Sequence, residues 1–321
     1  PEGAVGEDRY LRAAAGFNGL DLDLDDTFAW GWDEIDRLTR EMRSEVDSLA
    51  PGLPLPAVRE FLDGDPAYQI HGTEALTEHL RGLTDSATKR VDGSLFAIDP
   101  RVLDCGVELA AEGAAAAPYY VPPSEDLSRP GSTWYPVRGA EVFPRWWLET
   151  VWFHEGVPGH HLQLGAIATQ PDMSRFQRVL GSTSGHAEGW ALYAERLCDE
   201  LGWFDEPGTR IGFLSAQLMR AVRVVVDIGL HTERRVPRGF LGAQGRVTPR
   251  LAEQLLVENA LIDPGFAASE VDRYLGMPGQ AISYKVGERS WLQVRDHAAE
   301  ADPEFKLKDW HMYAMRLGPM G

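Results

Sequence analysis

The sequence predicts a mainly α-helical, multi-helical protein with one small β-containing segment, and three observations lead to this prediction. Over most of the chain, apolar residues recur at spacings of three and four, which places them on one face of a helix. Prolines and paired aromatic residues, which are typical of extended structure, are concentrated in residues 93–143. Hydrophobic residues make up 44% of the chain and charged residues 25%, the ordinary balance of a globular protein. We expect a single region over 1–321, with helical parts at 1–92 and 144–321 on either side of the extended segment.

The first long helix is predicted over residues 26–49. Phe28, Trp32 and Ile35 begin an apolar stripe there, and the proline-rich run 51–56 ends it. The same reasoning predicts six further helices and one loop. The helices are expected at 73–91, 209–231, 249–261, 268–276, 280–300 and 307–317, and the loop, which is rich in glycine, proline and arginine, at 237–249.

Short strands are predicted within residues 93–143. The prolines of this segment disfavour helix, and the pairs of adjacent aromatic residues between them favour strands. We expect a hairpin of residues 117–121 with residues 132–137, and no notable extended segment outside 93–143.

The charge and cysteine content restrict the possible partners and setting. Acidic residues outnumber basic residues by 49 to 31, which gives a formal net charge of −18. Such a charge repels phosphate backbones and anionic lipids, so no nucleic-acid partner is expected. No apolar run approaches the ~18 residues of a transmembrane helix. Two cysteines, Cys105 and Cys198, cannot form a disulfide framework, which favours a reducing, cytoplasmic setting.

The segment 154–163, HEGVPGHHLQ, carries the clearest chemical signal in the sequence. A His-Glu pair follows a bulky apolar run and precedes two more histidines, and burying such polar side chains is costly unless they bind something. In the zinc-binding pattern HExxH, two histidines one helical turn apart bind the ion, and the glutamate between them is the general base. The segment therefore predicts a metal site with His154 as a ligand and Glu155 as the base.

Proline occupies the position at which HExxH would place its second histidine. On a straight helix His154 and His161 would share a face but lie about 10 Å apart, and His160 would point elsewhere. Pro158 lacks an N–H group and its ring clashes with the carbonyl group one turn earlier, so the helix is expected to break or bulge at 157–159. Such a break could bring His160 into the position of the second ligand. The alternative is a kinked helix whose histidines cap it or lie in the core.

The next predicted helix offers a third ligand. Residues 186–197 form an amphipathic pattern with Glu188 near its start, where a carboxylate could complete a site formed by the His-Glu helix. Glu195 and His186 are lesser candidates. We expect Glu195 to pair with Arg196 or with solvent-facing bases, and His186 to cap the helix.

These motifs resemble those of a bacterial family known as domain of unknown function 885, whose members are regarded as zincin-like metallopeptidases. The family motif HExxPGHHLQ matches residues 154–163, and the motif EGWALYAERL matches residues 188–197. Further family-like segments lie at 129–131, 220–231 and 278–288. The resemblance implies a helical fold of the neurolysin and angiotensin-converting-enzyme type, with His160 rather than His161 as the second ligand. Family members usually extend further at the N-terminus, so this chain resembles a C-terminal, catalytic part.

Residues outside the two motifs are candidates for supporting roles. Tyr284 is expected to donate a hydrogen bond to the oxyanion of the transition state, because a phenol donates without a counter-charge; a core tyrosine is the alternative. His231, which ends a long apolar helix, is the second candidate, with a favourable interaction with the helix dipole as its alternative. Substrate contacts are expected from Tyr120, Arg129 and Arg223.

The assignments lead to hypotheses of different classes. In the first, the protein is a zinc metallopeptidase or amidase that acts on a peptide or small amide, with one Zn²⁺ held by His154, His160 and Glu188, and Glu155 as the base. In the second, it is a metal-dependent hydrolase or an iron enzyme with a non-peptide substrate, because nitrogen and oxygen ligands do not select the metal alone. A non-catalytic metal-binding module is the third, and the presence of Glu155 argues against it. The sequence does not specify the substrate, the choice between endopeptidase and exopeptidase, or the oligomeric state.

Overall fold

The computed structural model describes residues 3–237 and 245–319. Within these residues there are thirteen α-helices and five short strands. The helices are α1 (Glu7–Asn18), α2 (Leu24–Leu49), α3 (Leu55–Gly64), α4 (Thr73–Val91), α5 (Arg145–Glu155), α6 (His160–Ala168), α7 (Arg175–Val179), α8 (Ser184–Glu200), α9 (Pro207–Thr232), α10 (Pro249–Glu258), α11 (Pro264–Gly276), α12 (Ser283–Ala301) and α13 (Leu307–Leu317). The strands are β1 (Gln69–His71), β2 (Cys105–Ala110), β3 (Tyr119–Val121), β4 (Gly131–Pro136) and β5 (Val142–Pro144).

The mainly helical class is confirmed, and the predicted helices are present. Helices α4 and α13 have the predicted bounds, and α2 begins slightly earlier than expected. The side chain of Asp23 accepts hydrogen bonds from the N–H groups of Asp25 and Asp26, which caps the start of α2. Most of the loop predicted over 237–249 falls on residues 238–244, which lie outside the described residues.

A three-stranded sheet lies in the segment that was expected to be extended. Its strand order is β2-β4-β3. Strand β3 is antiparallel to β4, with Tyr120 opposite Thr133, which confirms the predicted hairpin. Strand β2 pairs with the other edge of β4 in parallel, with Cys105 opposite Gly131. Because β4 separates β3 from β2, β3 is an edge strand of this sheet.

A second sheet contains a strand that the sequence did not predict. Strands β1 and β5 pair antiparallel, with Ile70 opposite Phe143, and both of these side chains are buried. The expectation of no notable strand outside 93–143 is therefore wrong for β1. A three-residue strand carries little periodicity of its own, and its extended form depends on a partner more than 70 residues away.

Helix α9 lies at the centre of the core. Nearly all of its residues are buried, including several polar and charged ones, and it packs against α2 and α5. Helix α8 packs closely on α12 because two glycines face each other: a Cβ atom on Gly189 would lie 2.5 Å from the Cα atom of Gly287. This close approach brings the first turns of α8 and α12 beside α5. No helix among the described residues is both long and apolar enough to cross a membrane.

Candidate metal centre

The helix that carries the His-Glu pair breaks where the sequence predicts. Helix α5 ends at Glu155 and α6 begins at His160, and the N–H group of Gly159 donates to the carbonyl oxygen of Phe153 at 3.0 Å instead of continuing the helical ladder. Only glycine fits at position 159, since a Cβ atom there would lie 1.9 Å from the carbonyl oxygen of His154. The break therefore folds α6 back against the end of α5 and brings His160 close to His154.

Two histidines and one glutamate converge at this break. The Nε2 atom of His154 lies 3.3 Å from the Oε2 atom of Glu188, and the Nε2 atom of His160 lies 3.5 Å from the same oxygen. One ligand atom from each residue lies within 4.8 Å of the other two. The side chain of Thr183 caps α8 by accepting from the N–H group of His186, so Glu188 lies in the early turns of that helix.

Two of the distances between the ligand atoms fit a tetrahedral metal ion. Zinc ligands lie about 2.0–2.2 Å from the ion, and so about 3.3–3.6 Å from one another. The two distances to the carboxylate oxygen of Glu188 fall within this interval. The Nδ1 atom of His160 is buried without a hydrogen-bond partner among the described residues, so no bond within this part of the chain holds the imidazole of His160 in another orientation. The group His154, His160 and Glu188 can therefore hold a metal ion.

His161 does not belong to this group, because both of its ring nitrogens have other partners. The Nε2 atom lies 2.9 Å from the carbonyl oxygen of Val102, and the Nδ1 atom lies 3.0 Å from the hydroxyl oxygen of Tyr120. A carbonyl oxygen can only accept, so Nε2 carries the proton and Nδ1 accepts from the hydroxyl group. Burial lowers the pKa of His161 to about 4, in agreement with a neutral ring.

Glu195 orients the imidazole of His154 through its Nδ1 atom, a role that was not predicted from the sequence. Its Oε1 atom lies 2.8 Å from the Nδ1 atom of His154, and its Oε2 atom accepts from the hydroxyl group of Thr150 at 3.0 Å. Glu195 is fully buried and also pairs with Arg220, so the expected pairing with Arg196 is wrong. A carboxylate in this position fixes the tautomer of a ligating histidine and leaves Nε2 free for the metal. The seven-residue spacing of Glu188 and Glu195, two helical turns, is the sequence signal that could have identified it.

A buried network extends from Glu195 away from the cavity. The Nε2 atom of Gln217 donates to Glu195 at 3.4 Å, while its Oε1 atom accepts from the Nζ atom of Lys285 at 2.7 Å. Lys285 also donates to Glu288 at 2.5 Å and to Glu34 at 2.9 Å. Because an ammonium group can only donate, it fixes the orientation of the amide and directs the N–H₂ group of Gln217 at Glu195.

Replacing Glu195 with glutamine is expected to weaken zinc binding by about 10–100-fold, the usual cost of losing a partner that orients a ligand. The substitution removes the charge that favours the correct tautomer of His154 and also the ion pair with Arg220. Glu200→Gln, at the exposed end of the same helix, is the matched control and should bind zinc as the unmodified chain does. Competition with a fluorescent chelator measures both affinities, and equal values for the two variants would contradict the role given to Glu195.

The electrostatics of the group depend on two glutamates, the half-buried Glu188 and the fully buried Glu195. Burial by itself lowers the pKa of His154, but hydrogen bonds with Glu188 and Glu195 outweigh it and raise this pKa to about 9. Burial raises the pKa of Glu188, but its hydrogen bonds with His154 and His160 outweigh that effect and lower this pKa well below its usual range. In the metal-free protein His154 is therefore protonated at neutral pH.

The raised pKa of His154 predicts how metal affinity depends on pH. Because binding displaces the proton of His154, zinc affinity should rise about tenfold per pH unit from pH 7 to pH 9. The protonated ring stabilises the metal-free fold below its unfolded pKa near 6.5, and this contribution should be lost as the pH rises through about 9. Calorimetric titration with zinc measures how the affinity depends on pH. Thermal unfolding of the metal-free protein measures how its stability depends on pH. A zinc affinity that is constant over this interval would contradict the assignment.

The group faces an open cavity of about 390 Å³ that also contains several of the predicted site residues. Glu155 lines this cavity beside His154, and burial raises its pKa. The ring of Tyr284 lines it too and stacks on His154 with 6.3 Å between the ring centres. Burial raises the pKa of Tyr284 to about 12, so its hydroxyl group stays a hydrogen-bond donor at neutral pH.

Two of the predicted substrate contacts line the same cavity. Tyr120 reaches it from β3, with its hydroxyl group held by His161. Arg223 reaches it from α9, and its guanidinium group lies 4.5 Å from the ring centre of Tyr284. Arg223 also donates to Glu270 at 2.6 Å, so it neutralises a buried acid as well as facing the cavity.

His231 and Arg129 do not line this cavity, in contrast to the sequence-based expectation. His231 is fully buried in the last turn of α9, with its Nε2 atom 2.9 Å from the carbonyl oxygen of Tyr274, and this places it in the core. Arg129 donates to the carbonyl oxygens of Pro122 at 2.7 Å and of Pro130 at 3.1 Å. These two bonds give Arg129 a role in holding the loop between β3 and β4.

Comparison with known proteins places the chain in a family. The family model described as "Bacterial protein of unknown function (DUF885)" matches residues 1–321. Among curated proteins, none matches the chain. A solved structure from Colwellia psychrerythraea, described as a lipoprotein, is 26% identical with a TM-score of 0.87, and the match covers 98% of this chain and 53% of that one. A structure from Shewanella oneidensis, described as a lipoprotein of unknown function, is 21% identical with a TM-score of 0.79 over 98% of this chain and 58% of that one.

The chain thus spans little more than half the length of these two solved proteins. Their folds match it over nearly all of its own length, and the family model matches every residue of it. The chain therefore belongs to the DUF885 family of bacterial proteins of unknown function.

Proposed function

We propose that this protein is a zinc-dependent peptidase or amidase with a zincin-like fold. One observation carries the proposal: two imidazole nitrogens and one carboxylate oxygen converge in an open cavity, and a further carboxylate, that of Glu155, lines the same cavity without belonging to the group. A structural zinc site is closed by four protein ligands and needs no base, whereas a catalytic site has three protein ligands and an open position.

Two residues that line the cavity, Glu155 and Tyr284, suit the steps of amide hydrolysis. A zinc ion, when bound, supplies polarisation of a water molecule and of the scissile carbonyl group. Glu155 takes a proton from the water as its oxygen bonds to the carbonyl carbon, and gives that proton to the amine nitrogen as the carbon–nitrogen bond breaks. The hydroxyl group of Tyr284 donates to the oxyanion that forms in between. The raised pKa of Glu155 brings it closer to neutrality, which suits a group that both accepts and returns a proton.

The position of β3 supports a peptide as the substrate. Among the described residues β3 pairs with β4 alone, so its outer edge carries backbone groups that no strand there satisfies. Tyr119 and Tyr120 of this strand line the cavity. An extended peptide can pair with such an edge through its own backbone, which a small non-peptide substrate cannot do.

Metal removal tests the proposal. The purified protein should contain about one zinc ion per chain by mass spectrometry, and it should cleave members of a mixed peptide library. A chelator should abolish cleavage, and added zinc should restore it. Iron in place of zinc, with no cleavage of any amide, would instead favour an iron or other metal-dependent enzyme with a non-peptide substrate, since two histidines and one carboxylate also suit iron.

We also propose a cellular location for this activity. The two solved relatives are described as lipoproteins, which favours the cell envelope over the cytoplasmic setting expected from the cysteine content. Fractionation of cells of the source bacterium with an antibody against the chain distinguishes the two locations.

A further inference from the structure

A second cavity, of about 320 Å³, adjoins the candidate metal centre. Most of its wall is apolar and comes from three parts of the chain. These are Leu164 and Ile167 of α6, Val179 and Leu180 at the end of α7, and Pro122 after β3. The volume corresponds to about ten water molecules at about 30 Å³ each, which is enough for one large aliphatic or aromatic side chain.

The two cavities share two lining residues, and both of these lie close in the chain to residues of the metal centre. Leu164 and Ala187 line both of them. Leu164 lies one helical turn after His160 on α6, and Ala187 immediately precedes Glu188 on α8. The apolar cavity therefore begins one helical turn from His160 and one residue from Glu188, which are two of the three residues that can hold the metal.

The polar side chains at the rim of the apolar cavity have hydrogen-bond partners within the described part of the chain. The carboxylate of Glu125 accepts from the Nε atom of Arg175 at 2.8 Å, and Arg178 donates to the carbonyl oxygen of Met173 at 2.5 Å. Gln177 is held by Ser174 in a capping box. The side chains of Val179 and Leu180, by contrast, are 52% and 74% exposed and present apolar surface to the cavity. The predominantly apolar lining thus favours an apolar occupant.

We propose that this cavity is a specificity pocket for an apolar side chain of the substrate, next to the bond that is cleaved. The proposal rests on the proposed metal-dependent function, and it names the preferred substrate class: peptides or amides with a leucine-, methionine- or phenylalanine-like side chain beside the scissile bond. Because the pocket adjoins the metal centre, an apolar side chain can enter it while the neighbouring carbonyl group faces the centre. Burial of that side chain removes it from water and covers the exposed apolar wall.

Amino-acid hydroxamates test the pocket without requiring turnover. The hydroxamate group chelates zinc, so glycine hydroxamate reports on the metal alone and phenylalanine hydroxamate adds the side chain. By calorimetry on the zinc-loaded protein, phenylalanine hydroxamate should bind about tenfold or more tightly than glycine hydroxamate, the usual gain from filling an apolar pocket. Leu180→Glu should reduce this ratio to about one, because it places a carboxylate in the wall. Leu180 is exposed, so the fold should tolerate the change.

Leu201→Glu is the matched control. Leu201 is 38% exposed at the other end of α8, about 21 Å along the helix from Ala187, and this variant should keep the full preference for phenylalanine hydroxamate. Equal binding of the two hydroxamates, or an unchanged ratio in Leu180→Glu, would overturn the pocket while leaving the metal centre intact. Failure of the protein to retain zinc would overturn both the pocket and the proposed function, and metal analysis distinguishes this outcome from the others.

Discussion

Replacing Glu155 with glutamine should reduce peptide turnover by about 10²–10⁴-fold, the range for loss of a positioned general base, while the zinc content stays at one ion per chain. Glutamine has the same size as glutamate but cannot take a proton from water. Glu155 lines the cavity, and its carboxylate is not one of the three ligand groups, so the metal should remain. Initial rates on a cleaved peptide and metal analysis of the same preparation provide the two readouts.

The matched control for this prediction is Glu149→Gln. Glu149 lies on the same helix and is buried, but it faces Arg145 and His79 and does not line the cavity. Its replacement should change thermal stability and leave turnover per folded molecule nearly unchanged. Two results would argue against the role of Glu155: full activity of the glutamine variant would show that another group is the base, and loss of zinc would show that Glu155 is a ligand.

Local features of the fold could be predicted from the sequence because their causes are local. The bounds of α4 follow from its apolar spacing and from the glycine that precedes it. The break after Glu155 follows from Pro158, which removes a donor and clashes with the preceding turn in any helical context. Pairings between distant segments were not predictable in this way. The parallel contact of β2 with β4 and the pairing of β1 with β5 depend on the surrounding tertiary structure rather than on composition.

The same distinction between local patterns and long-range packing applies to the candidate site. His154, Glu155 and His160 lie within seven residues, so the motif itself indicates the chemistry. The partner of His154 is harder to identify, because Glu195 is 41 positions away and a sequence pattern does not reveal which face of α8 meets α5. The same limit explains His231: a histidine at the end of a long apolar helix can face a cavity or the core, and the packing of α9 places it in the core.

Replacing the adjacent residues His160 and His161 one at a time tests the ligands of the metal centre. His160→Ala should lower zinc affinity by more than the about 10–100-fold expected for an orienting partner, because it removes a ligand atom outright. His161→Ala should leave zinc affinity within about tenfold of the unmodified chain, since both ring nitrogens of His161 bind Val102 and Tyr120. The second variant should instead lose about 1–3 kcal/mol of stability, the cost of leaving buried hydrogen-bonding groups without partners.

Zinc titration and thermal unfolding of both metal-free variants separate the two effects, because only His160→Ala removes a proposed ligand atom and only His161→Ala leaves the hydrogen-bonding groups of Val102 and Tyr120 without partners. Zinc loss in His161→Ala with retention in His160→Ala would require α6 to turn by about 100° and the hydrogen bonds of His161 to break. That outcome would remove His160 from the proposed ligands. The expected outcome follows from the glycine at position 159, which lets the chain pass close to the carbonyl oxygen of His154 and so begins α6 with His160 facing Glu188.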